Sequence, residues 1–380
     1  MPFSGNLYTP PNGATNAAPG QVLQSAVWDA IFTDLASALT TLMTQANTTP
    51  TWSNILAANG GFSVWQRGAG AAASFAVPAS TIQYTADRWY VSTGANQASV
   101  VAAATGLTIA APASHAAKIT RNSGQTGTGT MFFGYPLTTD EVVRLRGQQI
   151  SFSGAAKAGA NWSPTGGTLV ISIAFGTGTP TKTVNGFTGL TLPLVISTNI
   201  AAGASNLSIT GTSSATVATN ATQGEVQISW FPIGTAGADD SITLDQICLV
   251  AGAVVQSFED LPFDESLLLC KKFYRKSFPY GTAPVQNGGL AGAISVVSQA
   301  AASFGFYVQF EPVEMFATAS FTSYSPSGAT ANWVNNTVGT SSVAATFDTN
   351  GPSAKGVLIN GAVTSASVTL FLHYSADAGI

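Results

Sequence analysis

Two short stretches bring together the residue types that hold a sugar. They are Asn161-Trp162-Ser163, and Asn332-Trp333-Val334-Asn335-Asn336 with Tyr324 a little upstream. An aromatic ring packs on the apolar face of a pyranose while amides satisfy its hydroxyls, so both stretches are candidate glycan-binding loops. Plain packing or a trimer contact is the competing reading of Trp333. Other chemistry finds less support. His115 and His373 are isolated from further histidines, and Cys248 and Cys270 are not in a Cys-x-x-Cys pair, so neither a zinc site nor a cofactor is predicted. A Gly-x-Ser-x-Gly elbow, a Walker A loop and a Gly-x-Gly-x-x-Gly turn are all missing. Asp239, Asp240 and Asp245 could contribute to a calcium site, but they fall short of a loop motif and read better as a solvated turn. Cleaving a glycosidic bond takes two carboxylates across a cleft, whereas the acidic residues between Glu259 and Glu265 are explained by a helix start. No catalytic residue is assigned.

The elements that must position these residues are mostly strands. Of 380 residues only 8% are charged, the net charge is -4 and the pI is about 5.1, which disfavours nucleic acid as a partner. Mean hydropathy is +0.26, yet the longest apolar run, Ile247–Val255, is too short to span a bilayer, so no membrane insertion is expected. The opening residues show no signal peptide, and two cysteines suit synthesis in a reducing cytoplasm.

Along the chain, the Pro- and Gly-rich residues 1–20 read as an extended, irregular leader. From Gln21 to Gln45 the pattern is helical: Trp28, Ile31, Phe32, Leu35, Leu39 and Leu42 form one apolar stripe. Such a helix either packs on its own chain or bundles with copies of itself, and the two readings stay open. Beyond Pro50 the chain reads as antiparallel β, with strands expected at Phe62–Arg67, Arg88–Ser92, Ala98–Ala103, Thr168–Phe175 and Ser241–Val250 among others. A linker helix is predicted over Pro262–Lys276, then further strands to the end. The predicted fold is therefore mainly β: residues 1–50 as leader and helix, 51–257 as a jelly-roll-like sandwich, 258–277 as linker helix, and 278–380 as a second, smaller sandwich.

One segment stands apart. Phe62-Ser-Val-Trp65-Gln66-Arg67-Gly is followed by Tyr84-Thr-Ala-Asp87-Arg88-Trp89, and charges so rare in this chain are costly to bury alone. Arg67, Asp87 and Arg88 are expected to be paired or hydrogen-bonded at the edge of a β-sandwich core that holds Trp65 and Trp89. This pattern resembles the opening of the β-sandwich domain of bacteriophage tail-fibre and virion structural proteins. Leu145-Arg-Gly-Gln-Gln-Ile-Ser-Phe-Ser-Gly-Ala-Ala-Lys157 resembles a strand of carbohydrate-binding-module-like sandwiches. Phe258-Glu-Asp-Leu-Pro-Phe-Asp-Glu-Ser-Leu-Leu-Leu-Cys-Lys-Lys-Phe-Tyr274 is similar to the helix that follows the sandwich in phage virion proteins.

The resemblance implies a non-enzymatic virion component: a homotrimeric tail fibre or receptor-binding protein whose leader docks to another virion protein and whose β-domains meet a host surface glycan or protein. A head or collar fibre or a capsid decoration protein is the alternative within that class. A surface polysaccharide depolymerase and a secreted carbohydrate-binding module are the alternatives outside it. The first lacks a parallel β-helix repeat with clustered carboxylates, and the second lacks a signal peptide.

Overall fold

A computed structural model describes residues 54–103, 107, 115–183, 186–299, 301–335, 341–348 and 353–379, together with 3–4, 7–8 and 33–37. The chain divides into two compact units, Met1–Ser53 and Asn54–Ile380. In the first, β1 (Phe3–Ser4) pairs antiparallel with β2 (Leu7–Tyr8), so the leader is not wholly irregular as expected. Residues 33–37 are helical and carry Leu35 at 53% exposure. Trp28, Ile31, Phe32, Leu39 and Leu42 lie outside the described residues.

The second unit is mainly β and antiparallel. Its first sandwich runs β3 (Ser74–Val77), β4 (Ile82–Tyr84), β5 (Tyr90–Ser92), β6 (Ala98–Ala103), β7 (Ala116–Arg121), β8 (Met131–Leu137), β9 (Ile150–Ala158), β10 (Thr168–Thr177), β11 (Thr188–Asn199), β12 (Leu207–Thr212), β13 (Gln223–Trp230) and β14 (Asp240–Ala251). One sheet has the order β11-β10-β13-β8-β5-β4 and the other β12-β9-β14-β7-β6-β3. The two-residue period of a strand decides which side chains meet between them. Along β10, Leu169, Ile171, Ile173 and Phe175 enter the core, while Thr168, Val170 and Ser172 face outward. In β14 the period breaks at Gln246, whose φ of 55° creates a bulge between Asp245 and Cys248 and keeps Ile247 and Leu249 inside.

A helix, Phe263–Cys270, leads out of this sandwich, shorter than predicted, because β15 (Tyr274–Lys276) already pairs with the last strand. The second sandwich adds β16 (Ile294–Ser298), β17 (Ser303–Gln309), β18 (Ser320–Tyr324), β19 (Asn332–Asn335), β20 (Ser341–Ala344), β21 (Thr346–Phe347), β22 (Gly356–Ala362) and β23 (Val368–Asp377). β23 is its spine, pairing with β15, β16, β18 and β19, while β17, β22 and β21 form the facing sheet. Its core centres on Phe310, Trp333, Val357, Ile359, Leu370 and Leu372.

The expected strand at Phe62–Arg67 is instead an irregular segment. Phe62 sits at φ 55°, Trp65 turns into the core, and Asn59 clamps the backbone between them. The Asn59 amide donates to Val64 O at 2.9 Å and Asp87 O at 2.8 Å, and its Oδ1 accepts from Val64 N at 2.9 Å. Side-chain hydrogen bonds thus replace a sheet ladder here. Arg88 is likewise in a turn, at φ 71°, and the strand starts at Tyr90. The Ala- and Gly-rich spacer 69–80 holds the short turn Gly70–Ala72 and β3.

Replacing Asn59 by Ala leaves buried backbone groups without partners, each worth ~1–3 kcal/mol. Asn59→Ala is expected to lower the free energy of chemical unfolding by about 3 kcal/mol or more. A loss under about 1 kcal/mol would show that the clamp is dispensable.

Candidate functional site

The charged residues of the Trp-Gln-Arg-Gly and Asp-Arg-Trp motifs build a joint between the sandwiches. Arg67 forms a two-pronged ion pair with Asp377 at the end of β23, at 2.5 and 3.2 Å. Its guanidinium lies between the rings of Tyr84 and Tyr274, at 4.7 and 4.2 Å from their centroids. Arg88 repeats the arrangement: it bonds both carboxylate oxygens of Glu141, and stacks between Tyr135 at 4.4 Å and Phe273 at 3.8 Å. Glu141 belongs to a short helix, Thr139–Val143, and closes a capping box with Thr138. Asp87 accepts hydrogen bonds from the backbone and side-chain nitrogens of Gln66, and Gln66 also reaches Tyr274 O. From the far side, the Tyr280 hydroxyl donates to Ser63 O and accepts from Trp65 N, while Lys276 caps three carbonyls, including Gly68 O. The motif's charged residues were expected to be paired or hydrogen-bonded at a core edge. Arg67 and Arg88 are in ion pairs, Asp87 is hydrogen-bonded to Gln66, and Trp65 and Trp89 are fully buried.

Burial pushes the Asp87 carboxyl up to about 6 and the Lys276 ammonium down to about 8. His373 is also enclosed: its ring stacks on Phe278 at 3.8 Å, Nδ1 meets Ser277 Oγ, and Nε2 meets Gly289 O. Burial lowers its pKa, and a Ser-His contact so covered offers no access to a substrate.

The sugar-binding candidates are placed differently from expectation. Asn332 and Trp333 lie in a strand, not a loop, and Trp333 is 0% exposed. Its ring meets Phe304 edge-on at 5.4 Å and its Nε1 donates to Asn360 O, so it is a core side chain of the second sandwich. Tyr324 is half-buried in β18, with its hydroxyl on Ser375 Oγ. β18 and β19 both pair with β23, so Tyr324 and Trp333 share a sheet without sharing an open site. The backbone of Asn335 closes the same strand, and Asn336 lies outside the described residues. In the other stretch, Asn161 is pinned as a turn: its Oδ1 accepts from Asp239 N. Trp162 is buried, with Nε1 on Gly167 O and its ring 5.8 Å from that of Trp230.

Beside this Trp pair a groove does open. It is about 350 Å³ in volume and lies on the outer face of the first sheet. Thr130, Thr165, Thr168 and Ser229 line it, Trp230 closes its inner end, and Phe231 stands over it at 52% exposure. Every lining residue is uncharged. The sequence pointed to the Trp162 loop, which walls the groove through Thr165, but the ring offered to solvent is that of Phe231.

No protein-family model matches the chain, and no curated protein matches it. Part of it is similar to solved structures. The xylan-binding CBM22-1 domain from Paenibacillus barcinonensis is 14% identical over 47% of this chain and 99% of that one, with a TM-score of 0.29. A family 11 carbohydrate-binding module from Clostridium thermocellum, solved with a β-1,3-1,4-mixed-linked tetrasaccharide, is 12% identical over 44% and 91%, at 0.27. A cyclase from Fischerella sp. TAU is 12% identical over 48% and 100%, at 0.29. At these scores the likenesses carry no inference about ligand or chemistry.

The remaining acidic residues have separate duties. Asp240 pairs with Arg121 at 3.2 Å, and Asp239 pairs with Lys118 at 2.9 Å. Asp245 accepts from Leu107 N and Gln246 N. Among the described residues no three His, Cys, Asp or Glu gather closely enough to hold a metal ion.

The joint carries a pH signature. Unfolded, Asp87 releases its proton at about 3.8, and folded at about 6, so between these values the folded state holds the extra proton and stability falls as pH rises. Lys276 acts only above about pH 8, where its depressed value makes stability rise with pH. From pH 4 to 7, Asp87→Asn is therefore expected to gain on the parent protein by about 2 kcal/mol in unfolding free energy. A difference that stays constant with pH would refute the assignment.

Proposed function

We propose that this chain is a non-catalytic structural protein of a bacteriophage particle, a homotrimeric tail fibre or receptor-binding protein that attaches to host surface glycans. The residues 1–50 dock it to another virion protein, and the second unit carries the glycan contact. The virion assignment is supported by the two sequence resemblances to phage virion proteins, both of which lie on residues that make the joint. The observation that carries the glycan contact is the exposed Phe231 ring over an uncharged groove edged by four hydroxyls. A ring stacks on the apolar face of a sugar, and hydroxyls exchange hydrogen bonds with it at little desolvation cost. Single contacts of this kind are weak, and copies held together on one particle engage a repeated glycan by avidity. A capsid decoration or collar protein would use the same groove from another position on the particle.

Two experiments separate the parts of this proposal. On a printed array of neutral bacterial surface oligosaccharides, the full chain is expected to bind at least one, and Phe231→Ala to weaken that binding about tenfold, the equivalent of ~1.4 kcal/mol. Unchanged binding by Phe231→Ala would remove the groove from the mechanism. Light scattering of the full chain is expected to give the mass of a trimer, and of the chain lacking residues 1–50 that of a monomer. A full-length monomer at micromolar concentration would overturn the intrinsic trimer and leave assembly to the particle.

A further inference from the structure

A second groove lies on the outer face of the opposite sheet, and its chemistry differs. After β14 the chain turns at Gly252, with φ 104°, and runs back across the outward side of β9. The outward side chains of that sheet hold it there. Ser151 Oγ donates to Gly252 O at 2.8 Å, Ser153 Oγ to Gln256 O at 2.7 Å, and Thr212 Oγ1 to Ala253 O at 3.4 Å. The segment is thus a fixed wall. On the other side Ser208 and Thr210 of β12 remain exposed, and between them and the wall is a groove of about 480 Å³. Small residues of β9 make its floor.

Five residues of the wall line this space: Val255, Gln256, Ser257, Phe258 and Glu259. Phe258 is half-buried and held in place, because its ring lies against the backbone of Gly60 and Gly61, where an added Cβ would approach to 3.3 and 2.8 Å. Glu259 is exposed at the groove. Asp260 adjoins it in sequence, and Asp245 lies buried beside Gln246, another lining residue. No lysine or arginine lines the groove; Lys157 stands on the same strand as Ser153 but outside the lining. The site therefore offers hydroxyls and an amide for sugar hydroxyls, and an anionic end.

We propose that this groove binds a glycan containing an unacetylated hexosamine, whose ammonium group pairs with Glu259 while Ser208, Thr210 and Gln256 take its hydroxyls. An acidic polysaccharide is repelled by the same carboxylate, and an N-acetylated sugar lacks the charge that the groove is built to meet. This site is independent of the Phe231 groove and stands or falls without it.

The test is calorimetric titration of the full chain with a glucosamine tetrasaccharide and with its N-acetylated counterpart, at pH 6 and low salt. The glucosamine tetramer is expected to bind at least tenfold more tightly than the acetylated one. Glu259→Gln, an exposed substitution, should abolish the difference, and Thr210→Trp, which fills the groove from an exposed position, should abolish binding. Phe231→Ala should leave both unchanged. Equal affinity for the two tetramers, a preference that survives Glu259→Gln, or a loss caused by Phe231→Ala would each overturn the proposal.

Discussion

The architecture depends on two arginines taken out of water between aromatic rings. A guanidinium cannot give up its charge, so burying one demands a carboxylate in the plane of its fork and flat surfaces above and below. Arg67 and Arg88 receive this from Asp377, Glu141, Tyr84, Tyr274, Tyr135 and Phe273. Half of those partners come from beyond residue 270, at the edge of the second sandwich. A lysine at either position would keep the charge but lose both the two-pronged pairing and the stacking. Directional contacts hold the sandwiches in one arrangement, where a purely apolar seam would permit sliding. Where a charge is present inside, its neighbourhood is specified.

This explains which parts of the fold could be read in advance. Trp65 and Trp89 could be assigned to a core and Arg67, Asp87 and Arg88 to pairs, because rare charges beside large apolar rings admit few other solutions. Their partners were beyond reach, since Glu141 and Asp377 are distant in sequence and nothing local marks them. β10 was legible through its alternation and β14 through the alternation that precedes its bulge, whereas β3 was hidden in a run of Ala, Gly and Ser that carries almost no periodic signal. The linker helix was read too long because Lys271, Lys272, Arg275 and Lys276 resemble a charged helix end. In the folded chain Arg275 and Lys276 belong to a strand and bond carbonyls instead.

The binding residues show a sharper form of the same limit. Asn beside Trp reads as a loop that offers a ring to a ligand, yet Trp162 and Trp333 each spend the indole N–H on a backbone carbonyl, Gly167 O and Asn360 O. Once that bond is made, the ring has no reason to leave the core. Phe231 has no polar handle to satisfy and comes directly after the last residue of β13: Trp230 enters the core, and Phe231 leaves it. Parity carried past the last core residue, rather than local composition, was the signal that could have found the exposed ring.

Two outward faces of one sandwich thus differ in charge while sharing a vocabulary of Ser, Thr and Gln. Such side chains make no demand for a counter-ion, and the short Ser and Thr lose little rotamer freedom, so a surface built from them is adaptable without being sticky. Selectivity must then come from the few distinctive groups placed among them: the Phe231 ring on one face, Phe258 and Glu259 on the other. Because both grooves stand on strands of the same closed core, their separation is fixed by the sheet spacing and not by a linker.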